Sequence, residues 1–203
     1  MAAFGLITSA LSAQSANTKI SSLPFNITAP GTYVLTGNVT SSSTSTGAIN
    51  ISTAIAGPVV VDLKGFTITG PGSSSFGVTV GFTSYGVANA YPITIRNGTI
   101  KNFEYGVSAY NQANLSDITV NNIVFDISST GTAVGYDINF LYVNSSTISN
   151  CTFNDATYGI ADYSSAGGNG YNNNTFVGNV YPLIVEGGPI TLNHCQFDEP
   201  PAN

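Results

Sequence analysis

Charge is the scarcest property of this sequence. Lys, Arg, Asp and Glu together make up 7% of its 203 residues, against about 25% in an average soluble domain. Four Lys and Arg residues oppose ten Asp and Glu residues, for a net charge of −6. A basic footprint for nucleic acid or anionic lipid is therefore absent, and we expect neither partner. The polar positions carry hydroxyls and amides instead, which suit contact with carbohydrate, other protein or water.

Cysteine and histidine are almost as scarce. The chain has two cysteines, Cys151 and Cys195, and one histidine, His194, and it has no Cys-x-x-Cys motif. This spacing fits no zinc site, so we predict no metal and no cofactor. His194 beside Cys195 could indicate a reactive thiol, but the segment around them repeats a structural pattern, and a structural role is favoured.

Long apolar runs are missing too, since no stretch approaches the ~20 residues of a membrane span. Residues 1–15 are uncharged, and the run from Ala2 to Leu11 has signal-peptide length. They are either a signal-peptide remnant or a segment capping one end of the fold. We expect a secreted, extracellular or cell-surface protein. In a glycosylating host, its eight Asn-x-Ser/Thr sequons would mark exposed turns. The sequons begin at Asn26, Asn38, Asn50, Asn97, Asn114, Asn144, Asn150 and Asn173.

What the sequence does contain is a repeat. A short alternating unit recurs from residue 59 onward, as in Ile93-Thr94-Ile95-Arg96-Asn97-Gly98-Thr99-Ile100. Its closing apolar residues are Ile68, Ile100, Phe125, Phe153, Phe176 and Phe197. A second marker follows each unit, as Phe76-Gly77-Val78, Tyr105-Gly106-Val107, Thr132-Ala133-Val134, Tyr158-Gly159-Ile160 and Tyr181-Pro182-Leu183. Period-2 alternation in both segments predicts two β-strands per repeat.

Such coils cannot bury their apolar faces alone, so they must stack. The sequence predicts an all-β, single-stranded, right-handed parallel β-helix with an N-terminal cap. Residues 16–58 would form the cap and first coil, and residues 59–203 the remaining coils. Each set of markers would become a buried ladder. A β-sandwich lacks such coil-to-coil columns, and a propeller requires a repeat of about 40 residues.

The units Ile-x-Asn-Gly-Thr-Ile and Ile-x-Asn-Cys-Thr-Phe resemble the repeats of the pectate-lyase-like superfamily. Residues 20–35 and 59–70 are similar to segments of secreted bacterial β-helix repeat proteins, and the resemblance extends over residues 20–197. It implies the fold, whereas members range from lyases and hydrolases to adhesins. The enzymes of this group use a calcium-binding carboxylate cluster with a catalytic Arg or Lys, or two to three close Asp residues. Arg96 is the only arginine here, and no Asp-Asp pair occurs.

One outward column could contact carbohydrate. Counting from the second marker predicts a strip of Gly81, Tyr110, Asp137, Tyr163 and Glu186. Asp137 and Glu186 would lie two coils apart, about 9–10 Å, at the far edge of the roughly 6.5–9.5 Å used by inverting glycosidases. A plain solvated strip is the favoured alternative. By the same count Asp162 shares a column with Ala109, Tyr136 and Val185 and points inward, whereas Asp62 is expected to be a turn residue or an exposed charge.

The favoured function is therefore a non-catalytic extracellular protein, a surface, matrix or filament component that contacts carbohydrate. The alternative is a polysaccharide lyase or glycoside hydrolase. An ice-binding role is the weakest idea, because Thr67-x-Thr69 occurs once and no regular outward threonine columns are predicted. Self-association through coil ends is also expected, because few residues follow Phe197 to cover the last coil. The assembly edge would be lined by Leu183, Ile190, Leu192 and Phe197.

Overall fold

A computed structural model describes residues 17–84, 86–127, 134–164 and 166–198. These residues form eighteen strands and no helix. In chain order the strands are β1 (Thr18–Ile20), β2 (Phe25–Ile27), β3 (Gly31–Leu35), β4 (Val39–Thr40), β5 (Gly47–Ile51), β6 (Val59–Asp62), β7 (Thr67–Val80), β8 (Ile93–Ser116) and β9 (Ile118–Asp126). They continue as β10 (Tyr136–Asn144), β11 (Thr147–Ser149), β12 (Thr152–Asn154), β13 (Tyr158–Tyr163), β14 (Asn169–Asn172), β15 (Thr175–Val177), β16 (Tyr181–Val185), β17 (Ile190–Asn193) and β18 (Gln196–Phe197).

The pairings between these strands are parallel and arrange them in three sheets along the stack. Sheet A contains β1, β3, β6, the starts of β8 and β9, β11, β14 and β17. Sheet B contains β4, the start of β7, the middle of β8, the end of β9, β12, β15 and β18. Sheet C contains β2, β5, the ends of β7 and β8, β10, β13 and β16. The chain is thus an all-β parallel solenoid, as predicted.

A full coil has three strands, so the prediction of two was wrong. The eight-residue unit contains one strand of sheet A and one of sheet B, and from Ile93 onward the turn between them contains a single residue at positive φ. That residue is Asn97, Asn122, Asn150, Asn173 and His194 in successive coils, with φ from 50° to 61°. Asparagine tolerates this left-handed conformation better than most residues. Asn122 also donates to Asn97 at 3.0 Å and Asn173 to Asn150 at 3.4 Å, which ties successive turns together.

The predicted ladder of closing residues is confirmed in sheet B. Ile68 pairs with Ile100, and the column continues through Phe125, Phe153, Phe176 and Phe197. The four phenylalanine rings stack with centroids 5.2, 4.7 and 4.9 Å apart. Burial is complete except at Phe197, which is 45% exposed, because no described coil lies beyond it.

The second ladder was predicted correctly except in one coil. Val78, Val107, Ile160 and Leu183 share a column in sheet C, but its middle member is Ile138 rather than Val134. Ile138 is fully buried, whereas Val134 is 42% exposed. Thr132 and Ala133 of the predicted marker lie outside the described residues. The true marker is Tyr136-Asp137-Ile138, so the register predicted for this coil was wrong by four residues. In the correct register, Asp137 lies opposite Gly106 and Gly159.

Stacking begins before the first recognisable repeat. β1 to β5 already pair with the three sheets, and Ile20 and Ile27 are fully buried. Residues 1–15, predicted to be a signal remnant or cap, lie outside the described residues.

Outward threonine columns do cross the coils, contrary to expectation. In sheet A the column contains Thr94, Thr119, Thr147, Gly170 and Thr191, and in sheet B it contains Thr67, Thr99, Val124, Thr152 and Thr175.

Candidate functional site

An aromatic row covers the outer side of sheet C. Each coil contributes the aromatic residue of its second marker, and the row runs through Phe76, Tyr105, Tyr136, Tyr158 and Tyr181. Neighbouring rings are stacked, with centroids 4.6 to 5.1 Å apart and planes within 18°. Each inner ring therefore covers the faces of its neighbours. What the row presents to solvent is ring edges and phenolic hydroxyls.

The hydroxyls of this row lie in a shared electrostatic environment with Tyr163. Burial and the Glu104 carboxylate raise the pKa of Tyr105 to about 12. Burial and the nearby Tyr163 hydroxyl raise the pKa of Tyr136, and burial and Glu186 raise the pKa of Tyr163. These phenols stay protonated at physiological pH, so they can both donate and accept hydrogen bonds.

The predicted carbohydrate strip is only partly assembled. Tyr110 and Tyr163 do share a column, but the residue between them is Leu141. Glu186 extends this column, because its N–H donates to Asp162 O at 2.8 Å. Asp137 lies in a different column, that of Gly106 and Gly159, because the predicted register was wrong by four residues in this coil. It is fully buried while Glu186 is exposed, so the predicted carboxylate pair of an inverting glycosidase does not form.

Asp137 is instead a buried acid in a column of glycines. The neighbouring coils have Gly106 and Gly159 at this position, where an added Cβ would meet the backbone oxygens of Asp137 and Pro182 at 2.6 and 2.5 Å. Asn179 Nδ2 approaches Asp137 Oδ2 at 3.5 Å, and the Oδ1 atoms of both residues are buried without a partner. Burial raises the pKa of Asp137 well above its usual range, and Asp126 and Asp155 add to the shift. Burial therefore favours the protonated, neutral form of Asp137.

Asp162 points inward, as predicted, and has hydrogen-bond partners. Its Oδ2 accepts from Asn169 Nδ2 at 2.9 Å and from the Tyr171 hydroxyl. Burial and this carboxylate raise the pKa of Tyr171. The predicted column was wrong at one member, since Phe140 rather than Tyr136 pairs with Asp162. This cluster is enclosed in the core, with Asp162, Asn169 and Tyr171 all at or below 1% exposure.

Asp62 was expected to be a turn residue or an exposed charge, and only the exposed alternative is wrong, because Asp62 ends β6 just before a turn. It is 1% exposed and accepts from Arg96 Nε at 3.1 Å, Asn97 Nδ2 at 3.2 Å and the Lys64 N–H at 3.0 Å. Burial alone would raise its pKa, but these hydrogen bonds and the Arg96 charge lower it. The only arginine is therefore engaged in a structural ion pair. Within the described residues, no group of three or more His, Cys, Asp or Glu side chains could hold a metal ion.

The two cysteines are free thiols. Asn174 occupies the position between them and accepts the Cys151 N–H at 2.9 Å. Burial raises the pKa of Cys151 to about 12, which makes it unreactive at neutral pH.

The sequons differ in their surroundings. Asn26, Asn38, Asn114, Asn150 and Asn173 are exposed, Asn97 and Asn144 are half-buried, and Asn50 is buried. Asn50 was expected in an exposed turn, but it lies inside β5, donates to Asn26 and Gly47, and accepts from Thr79. A glycan there would require breaking these bonds. Whether any sequon is glycosylated stays a prediction.

No helix in the described residues is long and apolar enough to cross a membrane. No protein-family model, curated protein or solved structure matches the chain. Sequence reasoning missed the aromatic row as a site, although its signal recurs in the second marker as an aromatic residue two positions before an aliphatic one, with glycine between them in three of the five coils.

Proposed function

We propose that this chain is a non-catalytic extracellular surface protein that holds a neutral, extended polysaccharide along sheet C. The observation that carries the proposal is the stacked row from Phe76 to Tyr181. Its four tyrosines, from Tyr105 to Tyr181, offer one hydroxyl-bearing edge per coil at intervals of 4.6 to 5.1 Å. An extended β-1,4-linked glycan advances by a similar distance per sugar, so successive sugars can meet successive coils.

Charge favours a neutral glycan over an acidic one. The described strands of sheet C contain no Lys or Arg, while Glu104 and Glu186 adjoin the tyrosine hydroxyls. An acidic polymer would meet these carboxylates without a compensating cation. Further supports for an extracellular role are the low charge content and the exposed sequons.

The test removes the hydroxyls while keeping the stack. Phe76 already occupies one rung, so Tyr136→Phe and Tyr158→Phe should preserve ring packing. We expect hydroxyethylcellulose in a native gel to retard the protein, polygalacturonate to leave it unretarded, and the double variant to lose retardation. Tyr91→Phe, at a 43% exposed tyrosine outside the row, is the matched control. Equal retardation of wild type and double variant, or none for wild type, would reject the proposal.

A second candidate, self-association, is favoured by the last described coil. Leu192 and Phe197 are each 45% exposed, while Tyr171 and Phe176, one coil earlier, are 0% and 1% exposed. Leu183 and Ile190 of the predicted assembly edge are half-buried. We propose that a second copy covers this apolar rung, because open strand edges and apolar ladders promote pairing.

Light scattering at several concentrations tests this second proposal. The mass should rise with concentration for the wild type and stay monomeric for Leu192→Glu/Phe197→Glu. Val124→Glu serves as the control, since Val124 is 41% exposed on the outer side of sheet B. A monomeric wild type at every concentration would contradict it.

A further inference from the structure

A second outward surface differs sharply from the aromatic row. It lies on sheet A in the last four coils and consists of two columns, here called the neutral face. The first column contains Thr119, Thr147, Gly170 and Thr191, and the second contains Asn121, Ser149, Asn172 and Asn193. All eight residues are half-buried or exposed. None of them carries a charge or an aromatic ring.

The threonine hydroxyls of this face are available to solvent. Some threonine hydroxyls elsewhere in the fold are engaged, as at Thr53, which bonds to Val87 O at 2.6 Å, and Thr79, which bonds to Asn50 at 2.8 Å. Within the described structure no protein group bonds to the hydroxyls of Thr119, Thr147 or Thr191. β-branching restricts their χ1 angles, so methyl and hydroxyl groups take fixed positions in three of the four coils, with a gap at Gly170.

The second column is held by its own hydrogen bonds. Asn121 Nδ2 donates to Ser149 Oγ at 2.8 Å, and Asn193 Nδ2 donates to Asn172 Oδ1 at 2.8 Å. These bonds link side chains of adjacent coils in pairs. The column is therefore ordered before any ligand arrives, which lowers the entropic cost of binding.

Together the columns form a two-dimensional grid. Its steps are about 4.8 Å between coils and about 6.6–6.8 Å between columns, from strand geometry. These steps are near the oxygen repeats on a prism plane of hexagonal ice. Such a rigid grid of methyl, hydroxyl and amide groups suits a lattice of ordered water, whereas exposed charges would organise hydration around themselves. A crystalline polysaccharide is disfavoured, because the neutral face has no ring for a sugar to contact.

We propose that the neutral face binds ice, by holding a layer of water in register with the crystal surface. The test uses the purified full chain, grown into an ice hemisphere and assayed for thermal hysteresis. We expect the wild type to enter the ice and to separate the melting and freezing points. Thr119→Lys/Thr147→Lys places two charged side chains on the grid and should abolish both effects.

Val180→Lys is the matched control, because Val180 is 58% exposed and lies outside the neutral face. It should behave as wild type, with circular dichroism showing that all variants stay folded. Exclusion of the wild type from ice without hysteresis would overturn the proposal. So would hysteresis that survives in the double threonine variant or disappears in Val180→Lys. Neither outcome bears on polysaccharide retardation, which involves sheet C.

Discussion

Replacing Phe153 with alanine is expected to lower the free energy of unfolding by about 3–5 kcal/mol, as for other buried aromatic residues. The ring is fully buried and stacked between Phe125 at 5.2 Å and Phe176 at 4.7 Å. Its removal opens a cavity inside the ladder and unstacks both neighbours. Urea denaturation followed by circular dichroism measures the change.

Phe197→Ala is the matched control from the same ladder. Phe197 stacks on Phe176 at 4.9 Å but is 45% exposed, so less apolar surface is lost and no enclosed cavity forms. Its effect should be clearly smaller than that of Phe153→Ala. Equal losses at the two positions would contradict the burial gradient along the ladder.

Asp137→Asn is expected to make the protein more stable at alkaline pH. When the pH is below the usual pKa of an aspartate, Asp137 is protonated in both the folded and the unfolded chain. In that range it adds nothing to the pH dependence of the unfolding free energy. As pH rises, the unfolded carboxyl ionises while the folded one, whose pKa burial raises, stays neutral. Stability then falls by up to about 1.4 kcal/mol per pH unit until the folded pKa is reached.

The measurement is the unfolding free energy of wild type and Asp137→Asn from about pH 4, near the usual pKa of an aspartate, up to about pH 9. The difference between them should grow with pH in favour of the variant, since an amide cannot ionise and can donate to Asn179 Oδ1. Asp117→Asn, at an exposed aspartate, should follow the wild-type curve. A constant difference between wild type and Asp137→Asn would mean that Asp137 is ionised in the folded state.

The ladders were predictable because the closing residues repeat as Ile or Phe, after an asparagine turn in four of the six units, and a regularly repeated apolar position must face the core. The register was assigned four residues too early around Asp137. In this coil a carboxyl side chain replaces the glycine of the marker, and the segment that ends at Val134 matches the apolar pattern better. The burial of Asp62 was also hidden, because its partners Arg96 and Asn97 are 34 and 35 residues away in sequence. The outward columns were the hardest feature to predict, because hydroxyl residues at outward positions can be replaced with little cost in stability.

NMR spectroscopy of protein with 13C-labelled tyrosine rings tests the proposed polysaccharide surface most directly. Cello-oligosaccharide is added while the resonances of individual tyrosines are followed. The resonances of Tyr105, Tyr136, Tyr158 and Tyr163 should shift together, while those of Tyr33 and Tyr171, at 7% and 0% exposure, stay in place. Unchanged spectra at saturating sugar, or shifts confined to tyrosines outside sheet C, would contradict binding along the aromatic row.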